Sequence, residues 1–330
     1  MTTKTFSKDV LQLDCAAEVE RISRELRDFA QKCRKRGAVV ALSGGIDSST
    51  TAALCVAGLG KERVFGLHMP ERDSSGETPR LSQAVSTQFG FASVMEELTP
   101  ILESLGCYAR RDEAISSVIP EYGPGWKAKI VLPKVTEHTG FNFYSIVAQS
   151  PDGALIKERL PHEAYLQIVA ATNFKQRVRK MLEYYHADRL NYLTTGTPNR
   201  LEYDQGFFVK LGDGAADIKL IAHLYKSQVY QLAEYLGVPE RVRKRSPTTD
   251  TYSLHQSQDE FYFSLPYEQM DLCLYGKNNG IPAAAVAELI GLSEEQVERV
   301  YKDIDVKRRS TLYLHSNPHL VAAIPEIRGI

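Results

Sequence analysis

The five cysteines of this chain of 330 residues form no CxxC pair and are scattered along its length. That spacing argues against a zinc site and against a disulfide framework, both of which need closely paired or evenly placed cysteines. Most of them stand in apolar helical settings. We therefore expect reduced thiols in the core, at Cys15, Cys33, Cys55, Cys107 and Cys273.

An excess of charge is missing as well, since 40 Lys and Arg face 41 Asp and Glu and leave a formal charge of −1. This balance argues against a broad basic surface, so we expect no nucleic-acid partner. No apolar run is long enough to span a membrane, and the first residues contain no apolar signal core. We expect no membrane partner and a cytoplasmic location.

What the sequence does contain is enough apolar residue, 43%, for a full core, arranged in alternating short strands and longer helices. Alternation of this kind is typical of parallel βαβ units. It predicts an α/β fold with a doubly wound parallel sheet, helices on both faces and ligands at the carboxyl ends of the strands. The predicted elements are helix 15–36, strand 38–43, helix 47–58, strand 63–69, helix 78–89, strand 92–97, helix 163–188, strand 191–196 and helix 225–236.

The alternation breaks between about 107 and 160, which we interpret as an insertion. A turn at Ser150-Pro151-Asp152-Gly153 predicts a hairpin that joins Phe143–Gln149 to Ala154–Arg159. The insertion would serve packing or a dimer contact, or else act as a lid or substrate selector. Beyond it, the pattern predicts turns at Ser246-Pro247 and Leu265-Pro266 and helices near 282–291 and 293–302.

The most informative segment joins a buried strand to a helix through a glycine turn that suits a pyrophosphate. Its glycines let the backbone approach an anion, the helix start offers amide donors, and its serines add hydroxyls. Asp47 would hold magnesium. The alternative is a plain strand-to-helix turn with a serine cap, and no GK[ST] follows as in a Walker loop. The segment reads Val39-Val40-Ala41-Leu42-Ser43-Gly44-Gly45-Ile46-Asp47-Ser48-Ser49-Thr50.

This SGGxDS loop resembles those of N-type ATP pyrophosphatases, which cleave ATP between the α and β phosphates, and later segments resemble NAD synthetases in particular. Thr194–Asp217 is similar to the GTxNxxE…GFFTKYGDGGAD run of that family. Four further segments match in order, and the likeness spans about 70% of the chain: Asn173–Arg179 with NxxARxRM, Leu224-Tyr225-Lys226 with the lysine after the last strand, Tyr235–Pro239 with ELGxP and Ser246–Asp250 with PPTAD.

The resemblance implies an adenine nucleotide α-hydrolase-like fold in one domain over 1–330, whose segment from about 246 to 330 contacts substrate. Asp47 and Glu202 would bind Mg²⁺, and with Lys226 they would be catalytic. The substrate deamido-NAD (nicotinic acid adenine dinucleotide) would contact Arg177, Lys210, Asp217 and Lys307. The predicted ATP contacts are Ala41, Leu42, Ser43, Gly44, Gly45, Ile46, Asp47, Ser48, Ser49, Thr197, Lys226 and Thr248.

The implied activity is that of an NAD synthase, an ATP-dependent ligase. The nicotinate carboxylate of deamido-NAD would attack the α-phosphate of ATP, and ammonia would then displace AMP from the acyl-adenylate. About 37 residues precede the first strand, and we find no segment resembling the nitrilase-like region of glutamine-using relatives. Free ammonia or a separate glutaminase would therefore supply the nitrogen. The family also implies a homodimer with helix 163–188 in the contact.

Several residues depart from the family pattern, and they lie on the side of the acceptor. They are Gln176, Val209, Leu211, Leu220 and Val306, the last in place of the histidine of a His-Lys-Arg run. These departures keep open a related ligase that amidates another carboxylic acid. An RNA-modifying ATP pyrophosphatase and a nucleotide binder without turnover are weaker alternatives, because a basic surface is missing and both carboxylates and Lys226 are present.

Overall fold

The structure of the protein is a computed structural model, and it describes residues 6–132, 144–245, 252–254, 262–263 and 265–327. The strands are β1 (Ala38–Ala41), β2 (Val64–His68), β3 (Ala92–Met95), β4 (Lys127–Val131), β5 (Ser145–Gln149), β6 (Leu155–Arg159), β7 (Leu193–Gly196) and β8 (Ile218–Lys219). The helices are α1 (Cys15–Lys32), α2 (Ile46–Leu59), α3 (Thr78–Phe89), α4 (Thr99–Ser104), α5 (Cys107–Ser116), α6 (His162–Leu190), α7 (Arg200–Gln205), α8 (Lys226–Tyr235), α9 (Glu240–Arg243), α10 (Tyr267–Asn278), α11 (Ala283–Ile290) and α12 (Glu294–Thr311).

A five-stranded parallel sheet in the order β3-β2-β1-β7-β8 forms the centre of the fold. Its middle strand β1 pairs on both sides, with Ala38 opposite Val64 in β2 and Leu193 in β7. Ala38, Val39 and Val40 of β1 are buried, as expected for a parallel strand that is covered on both faces. The carboxyl ends of β1 and β7, which carry the two segments singled out above, therefore lie side by side.

Helices cover both faces of this sheet, because successive side chains of a strand point to opposite sides. Val40 belongs to the core cluster formed with α1, α2 and α8, whereas Val39 belongs to the cluster that contains Val178 of α6 and Leu102 of α4. The predicted doubly wound α/β fold is confirmed.

The interrupted region contains a three-stranded antiparallel sheet in the order β4-β5-β6. The predicted hairpin is present, with Gln149 opposite Leu155 and Gly153 at a φ of 92° in the turn. Helix α5 and strand β4, which were not predicted, pack with α6 around Ile115, Ile130 and Ile146. The start of the predicted hairpin strand at Phe143 lies outside the described residues.

Several element boundaries differ from the predicted ones. Helix α1 ends at Lys32, short of residue 36, because Arg34 has a φ of 55° and the amide of Lys35 donates to the carbonyl of Ala30. Helix α12 extends to Thr311, well beyond the predicted 302. The turn expected at Leu265-Pro266 begins helix α10, which was missed, and the turn predicted at Ser246-Pro247 lies outside the described residues.

The five cysteines are free thiols, and Cys55, Cys107 and Cys273 are buried as predicted, whereas Cys15 and Cys33 are half-buried. Among the helices that the structure describes, none is long and apolar enough to cross a membrane.

Candidate active site

The turn between β1 and α2 has the backbone that an anion site requires. Gly44 has a φ of 71°, and a Cβ there would lie 2.9 Å from Cβ of Leu81 and 3.0 Å from the carbonyl oxygen of Thr78. Gly45 precedes α2 with no side-chain cap, so the first amides of that helix keep no internal partner. The hydroxyl of Ser43 lies 3.1 Å from that of Ser48, and Ser49 donates to the carbonyl of Gly45 at 2.7 Å. The serine hydroxyls thus bond within the loop and fix its conformation.

Two carboxylates and a lysine meet beside this turn. The Nζ of Lys226, at the start of α8, donates to Oδ2 of Asp47. Asn199 bridges the two acids: its Nδ2 donates to Oδ1 of Asp47 at 3.1 Å, and its backbone amide donates to Oε2 of Glu202 at 3.0 Å. The side chain of Asn199 also accepts from the amide of Glu202, which completes a capping box at the start of α7.

Burial decides the electrostatics of this group. Loss of solvent and the nearby charge of Asp47 raise the pKa of Glu202 to about 8. Burial disfavours the charged form of Lys226, but Asp47 and Glu202 outweigh it, and the pKa of the lysine is raised. The cluster therefore favours an ion pair of Lys226 and Asp47 beside a neutral Glu202, and a divalent cation bound between the two acids would favour the ionised form of Glu202.

The position of Lys226 is set by a carboxylate from another part of the chain. Asp271 on α10 accepts from the backbone amides of Lys226 at 3.2 Å and Ser227 at 2.7 Å. It thereby caps the first turn of α8. Burial raises the pKa of Asp271 to about 6. The C-terminal helices thus hold the lysine at the carboxyl edge of the sheet.

A cavity of about 390 Å³ opens beside these groups. Its lining residues come from the β1–α2 turn, from α6 and from the segment after α7. In the last two of these the Nζ of Lys180 donates to Glu183 at 2.6 Å, and Asp213 accepts from the amide of Val209 at 2.8 Å. Burial raises the pKa of both Glu183 and Asp213.

Most of the predicted ATP and metal residues line this cavity. Those on the wall are Ala41, Leu42, Ser43, Gly45, Ile46, Asp47, Ser48, Thr197 and Glu202. Gly44 faces Leu81, Ser49 is bonded back to Gly45, and Lys226 reaches the site through Asp47. Thr248 lies outside the described residues.

The predicted deamido-NAD residues are more dispersed and do not line the described wall of the cavity. Arg177 is exposed on α6 and donates to the carbonyl of Lys210 at 3.3 Å, while Lys210 itself donates to Tyr313 and Ser316. Asp217 accepts from the amide of Thr194 at 2.7 Å and so ties β7 to the next segment. Lys307 is buried on α12, where it donates to the carbonyl of Tyr262 and pairs with Asp303. These four residues remain predictions.

Some residues of the site were not assigned a role from the sequence. The spacing of Asn199 and Glu202 fits a capping box and could have marked Asn199 as a partner of the acid. Lys180 and Glu183, three residues apart on α6, could have been recognised as an ion pair. Asp271 carried no local signal, because its partners lie 44 and 45 residues away along the chain.

The residues present fit a magnesium ion. Mg²⁺ is commonly bound through one or two carboxylates, with substrate phosphates and waters completing the octahedron. Asp47 and Glu202 supply two carboxylates beside a turn whose backbone suits a phosphate. Within the described ranges, no group of three or more acid, histidine or cysteine side chains forms a cage for a metal, so phosphate oxygens would have to contribute.

Comparison with known proteins places these features in a family. The family model described as NAD synthase matches residues 18–118 and 134–310. An NH(3)-dependent NAD(+) synthetase of Rhizobium meliloti is 57% identical over 322 residues, which cover 98% of this chain and 96% of the relative. One from Mesorhizobium japonicum is 58% identical, over 96% of this chain and 100% of the relative.

Solved structures share the fold at lower identity. An NH3-dependent NAD synthetase from Campylobacter jejuni aligns with a TM-score of 0.62 at 21% identity, over 94% of this chain and 100% of that one. An NMN synthetase from Francisella tularensis aligns with a TM-score of 0.64 at 19% identity, over 94% and 99%. At such identities the likeness bears on the fold alone.

Proposed function

This chain belongs to the NAD synthase family, and from that premise we propose that the cluster of Asp47, Glu202, Asn199 and Lys226 is its catalytic centre. The protein is an ammonia-dependent NAD synthase, an ATP-dependent ligase that amidates deamido-NAD. The observation that carries the site proposal is the convergence of both carboxylates and the lysine on a turn whose amides suit a pyrophosphate.

The reaction has two steps at one site. In the first, a carboxylate oxygen of deamido-NAD bonds to the α-phosphorus of ATP, the bond to the β-phosphate breaks, and pyrophosphate leaves with the electron pair. In the second, ammonia bonds to the acyl carbon of the adenylate, AMP leaves and the nitrogen loses a proton. The amides that follow Gly44 and the hydroxyls of Ser43 and Ser48 would hold the departing pyrophosphate.

Charge stabilisation explains the choice of the other residues. Asp47 and Glu202 would hold Mg²⁺ with phosphate oxygens, and the ion would neutralise the charge that develops on the pyrophosphate. Lys226 is poised on Asp47 and would turn toward the phosphates when they enter, because its ammonium then has a stronger set of acceptors. Asn199 positions both acids through its hydrogen bonds.

The part of the cavity that is lined by α6 and by the segment after α7 suits deamido-NAD. Phe207 and Phe208 supply aromatic surface, while Lys180, Glu183 and Asp213 supply polar groups. Enclosure there would keep water from the adenylate.

Five further residues are proposed to contact the substrates. Those for deamido-NAD are Arg177, Lys210, Asp217 and Lys307, and the one for ATP is Thr248. The side chain of Arg177 donates to the backbone carbonyl of Lys210.

We propose further that the chain works as one catalytic domain in the cytoplasm and as a homodimer. The contact would include α6, where Leu166, Met181 and Tyr185 are exposed. The proposed nitrogen source is free ammonia or a separate glutaminase, because no residue of the centre described above is a nucleophilic cysteine.

The deciding experiment measures AMP and pyrophosphate release from ATP with magnesium and ammonium. It compares deamido-NAD, no acceptor and a panel of other carboxylic acids, among them nicotinic acid mononucleotide. We expect release to depend on deamido-NAD and to match NAD formed one to one. Release that ignores deamido-NAD but responds to another acid would instead mean that the departures at Gln176, Val209 and Leu211 have redirected the acceptor.

A further inference from the structure

The turn that follows α12 (Leu312–His315 with Ser316, here the C-terminal turn) contacts a residue proposed to bind substrate. The Nζ of Lys210 donates to the carbonyl oxygen of Tyr313 at 2.7 Å and to Oγ of Ser316 at 3.1 Å. The Ser316 hydroxyl itself donates to the same carbonyl at 2.7 Å. Backbone and side chain of the turn therefore form one acceptor site for this ammonium.

The same turn holds an aromatic side chain of the cavity wall. The ring of His315 meets Tyr203 and Phe208 edge-on, with centroids 4.8 and 5.1 Å apart. Tyr203 and Phe208 stack on each other at 5.8 Å. A Cβ at Gly214 would lie 2.3 Å from the ring of Phe208, so the ring is confined from that side also. Phe208 lines the cavity, and its ring is in contact with His315.

The turn is firmly connected to the helix that carries Glu202. Arg308 makes a two-pronged ion pair with Asp204 on α7, at 2.6 and 2.7 Å. Thr311 packs so closely on Gly206 that a Cβ there would lie 2.2 Å from the threonine Cβ. These contacts of Arg308 and Thr311 fix the end of α12, from which the C-terminal turn extends, against α7 and Gly206.

The arrangement leaves binding capacity on Lys210. An ammonium has three donors, and the C-terminal turn engages two of them. In the part of the chain that the structure describes, no side-chain or backbone oxygen accepts a hydrogen bond from the third donor. An anionic group of a bound ligand would take it as a charge-assisted hydrogen bond, with the lysine already oriented.

We propose that the C-terminal turn positions Lys210 and Phe208 for the acidic dinucleotide, with His315 and Ser316 as positioning residues. This inference rests on the proposed function and extends it to residues beyond the segments that resemble the family motifs. The turn acts through Lys210 and Phe208 and touches no reacting atom, so it affects acceptor binding and leaves ATP binding unchanged.

The test is steady-state kinetics on the full chain with the double variant His315→Ala/Ser316→Ala. We expect KM for deamido-NAD to rise about five- to tenfold, because one hydrogen bond to a charged group and one ring contact are lost. KM for ATP should stay within about twofold, since the β1–α2 turn is untouched. The melting temperature should not change, because Leu312 and Tyr313 are exposed and the turn adds little to the core.

Matched variants separate positioning from packing. Ser316→Thr keeps the hydroxyl and His315→Phe keeps a ring edge, so that pair should restore KM. His319→Ala, an exposed histidine of the same tail, should behave as wild type. An unchanged KM for deamido-NAD in the double variant, or equal rises for both substrates, would overturn the inference while NAD formation persists. A wild-type enzyme that forms no NAD would overturn the proposed function and this inference with it.

Discussion

Glu202 combines a place in the capping box of α7 with burial beside a second acid. Taken alone in the sequence it is a helix acid, and in the structure its carboxylate does accept from the backbone amide of Asn199. The same carboxylate is buried next to Asp47, which together with the loss of solvent raises its pKa to about 8. A purely structural cap would be placed at less cost at the surface. Its burial beside a second acid is what points to a cation.

Replacing Glu202 by glutamine tests this role without removing the cap. The glutamine carbonyl still accepts from Asn199, because the capping box takes either Glu or Gln at that position. We expect kcat to fall about 100-fold or more, since the charge that would hold the cation is gone. The melting temperature should hold, because the raised pKa of Glu202 already favours its uncharged form at neutral pH, which glutamine resembles. Both are measured by NAD formation and by thermal unfolding.

The matched control is Glu103→Gln on an exposed face of α4, which should alter neither value. Near-normal turnover in Glu202→Gln would mean that Asp47 and substrate phosphates suffice for the metal and that Glu202 only caps α7.

At the scale of elements, two loops at the carboxyl edge of the sheet are stabilised differently, one by its backbone conformation and the other by buried ion pairs. The β1–α2 turn depends on glycine, because its backbone at Gly44 lies in the left-handed region and touches α3. The loop between β2 and α3 depends on buried charge. There Lys175 of α6 pairs with Glu71 at 3.0 Å and Asp73 at 2.7 Å, and Arg111 of α5 pairs with Asp73 at 2.5 Å.

Substitution of Gly44 by alanine should disturb both stability and nucleotide binding. A residue with a Cβ loses about 1 to 2 kcal/mol in the left-handed region, and here it also collides with Leu81. Gly291 is the matched control: its φ is also 71°, and among the described atoms nothing lies within 4 Å of its Cβ position. We expect Gly44→Ala to be the less stable variant in urea and to lose ATP affinity in calorimetry, whereas Gly291→Ala keeps it. Equal losses in the two variants would contradict a close approach at Gly44.

Asp73 should contribute to stability at neutral pH and lose that contribution in acid. Burial alone would raise the pKa of this carboxyl, but Lys175 and Arg111 outweigh it and lower the pKa to about 2. Because the folded value lies below the unfolded one, the stabilisation is present above about pH 4 and disappears as the pH falls toward 2. Its size is about 2 kcal/mol by that linkage.

Urea titrations of Asp73→Asn at pH 6 and pH 3 measure this effect. We expect the variant to lose about 3 kcal/mol at pH 6, since two buried cations keep fewer acceptors, and the gap to wild type to shrink at pH 3. Asp112→Asn is the control, because Asp112 pairs with the same Arg111 at 2.7 Å but its side chain is 38% exposed, against 5% for Asp73, so the change should cost less than about 1 kcal/mol. A gap that does not change with pH would rule out the ionised carboxylate as its cause.

At the scale of the whole molecule, α6 connects the parts. This helix of 29 residues packs its Val178 on the central sheet, its Ile168 on the small antiparallel sheet and its Lys180 and Glu183 beside the cavity. It also leaves Met181 and Tyr185, one helical turn apart, exposed. A helix that is engaged along its length yet keeps an apolar stripe in solvent is a reasonable site for a second copy.

Met181→Asp tests that contact in solution. We expect the wild type to scatter light as a dimer at micromolar concentration and the variant to shift toward monomer, because a charge would be buried in the interface. Met95→Asp on β3 is the control, since Met95 is similarly exposed and lies on a different element. A monomeric wild type would contradict the proposed homodimer.

The sequence by itself determined what depends on neighbours along the chain. The glycine turn, the strands β1, β2, β3 and β7 of the central sheet and the hairpin at Ser150–Gly153 follow from local patterns, since period, turn chemistry and capping act over a few residues, whereas the short strand β8 was not predicted. The parallel order of β1 and β7 then brought the two predicted segments to one edge.

Only the tertiary structure decided which charges meet. Lys226 reaches Asp47 across 179 residues of sequence, Asp73 finds Lys175 across 102, and Asp271 caps α8 from another helix. It likewise turned Asp217 inward onto Thr194 and placed the C-terminal turn on Lys210. A buried charge needs a partner of opposite charge or a hydrogen-bond partner. Which residue becomes that partner depends on how the elements pack, and the residues next to the charge in sequence do not indicate it.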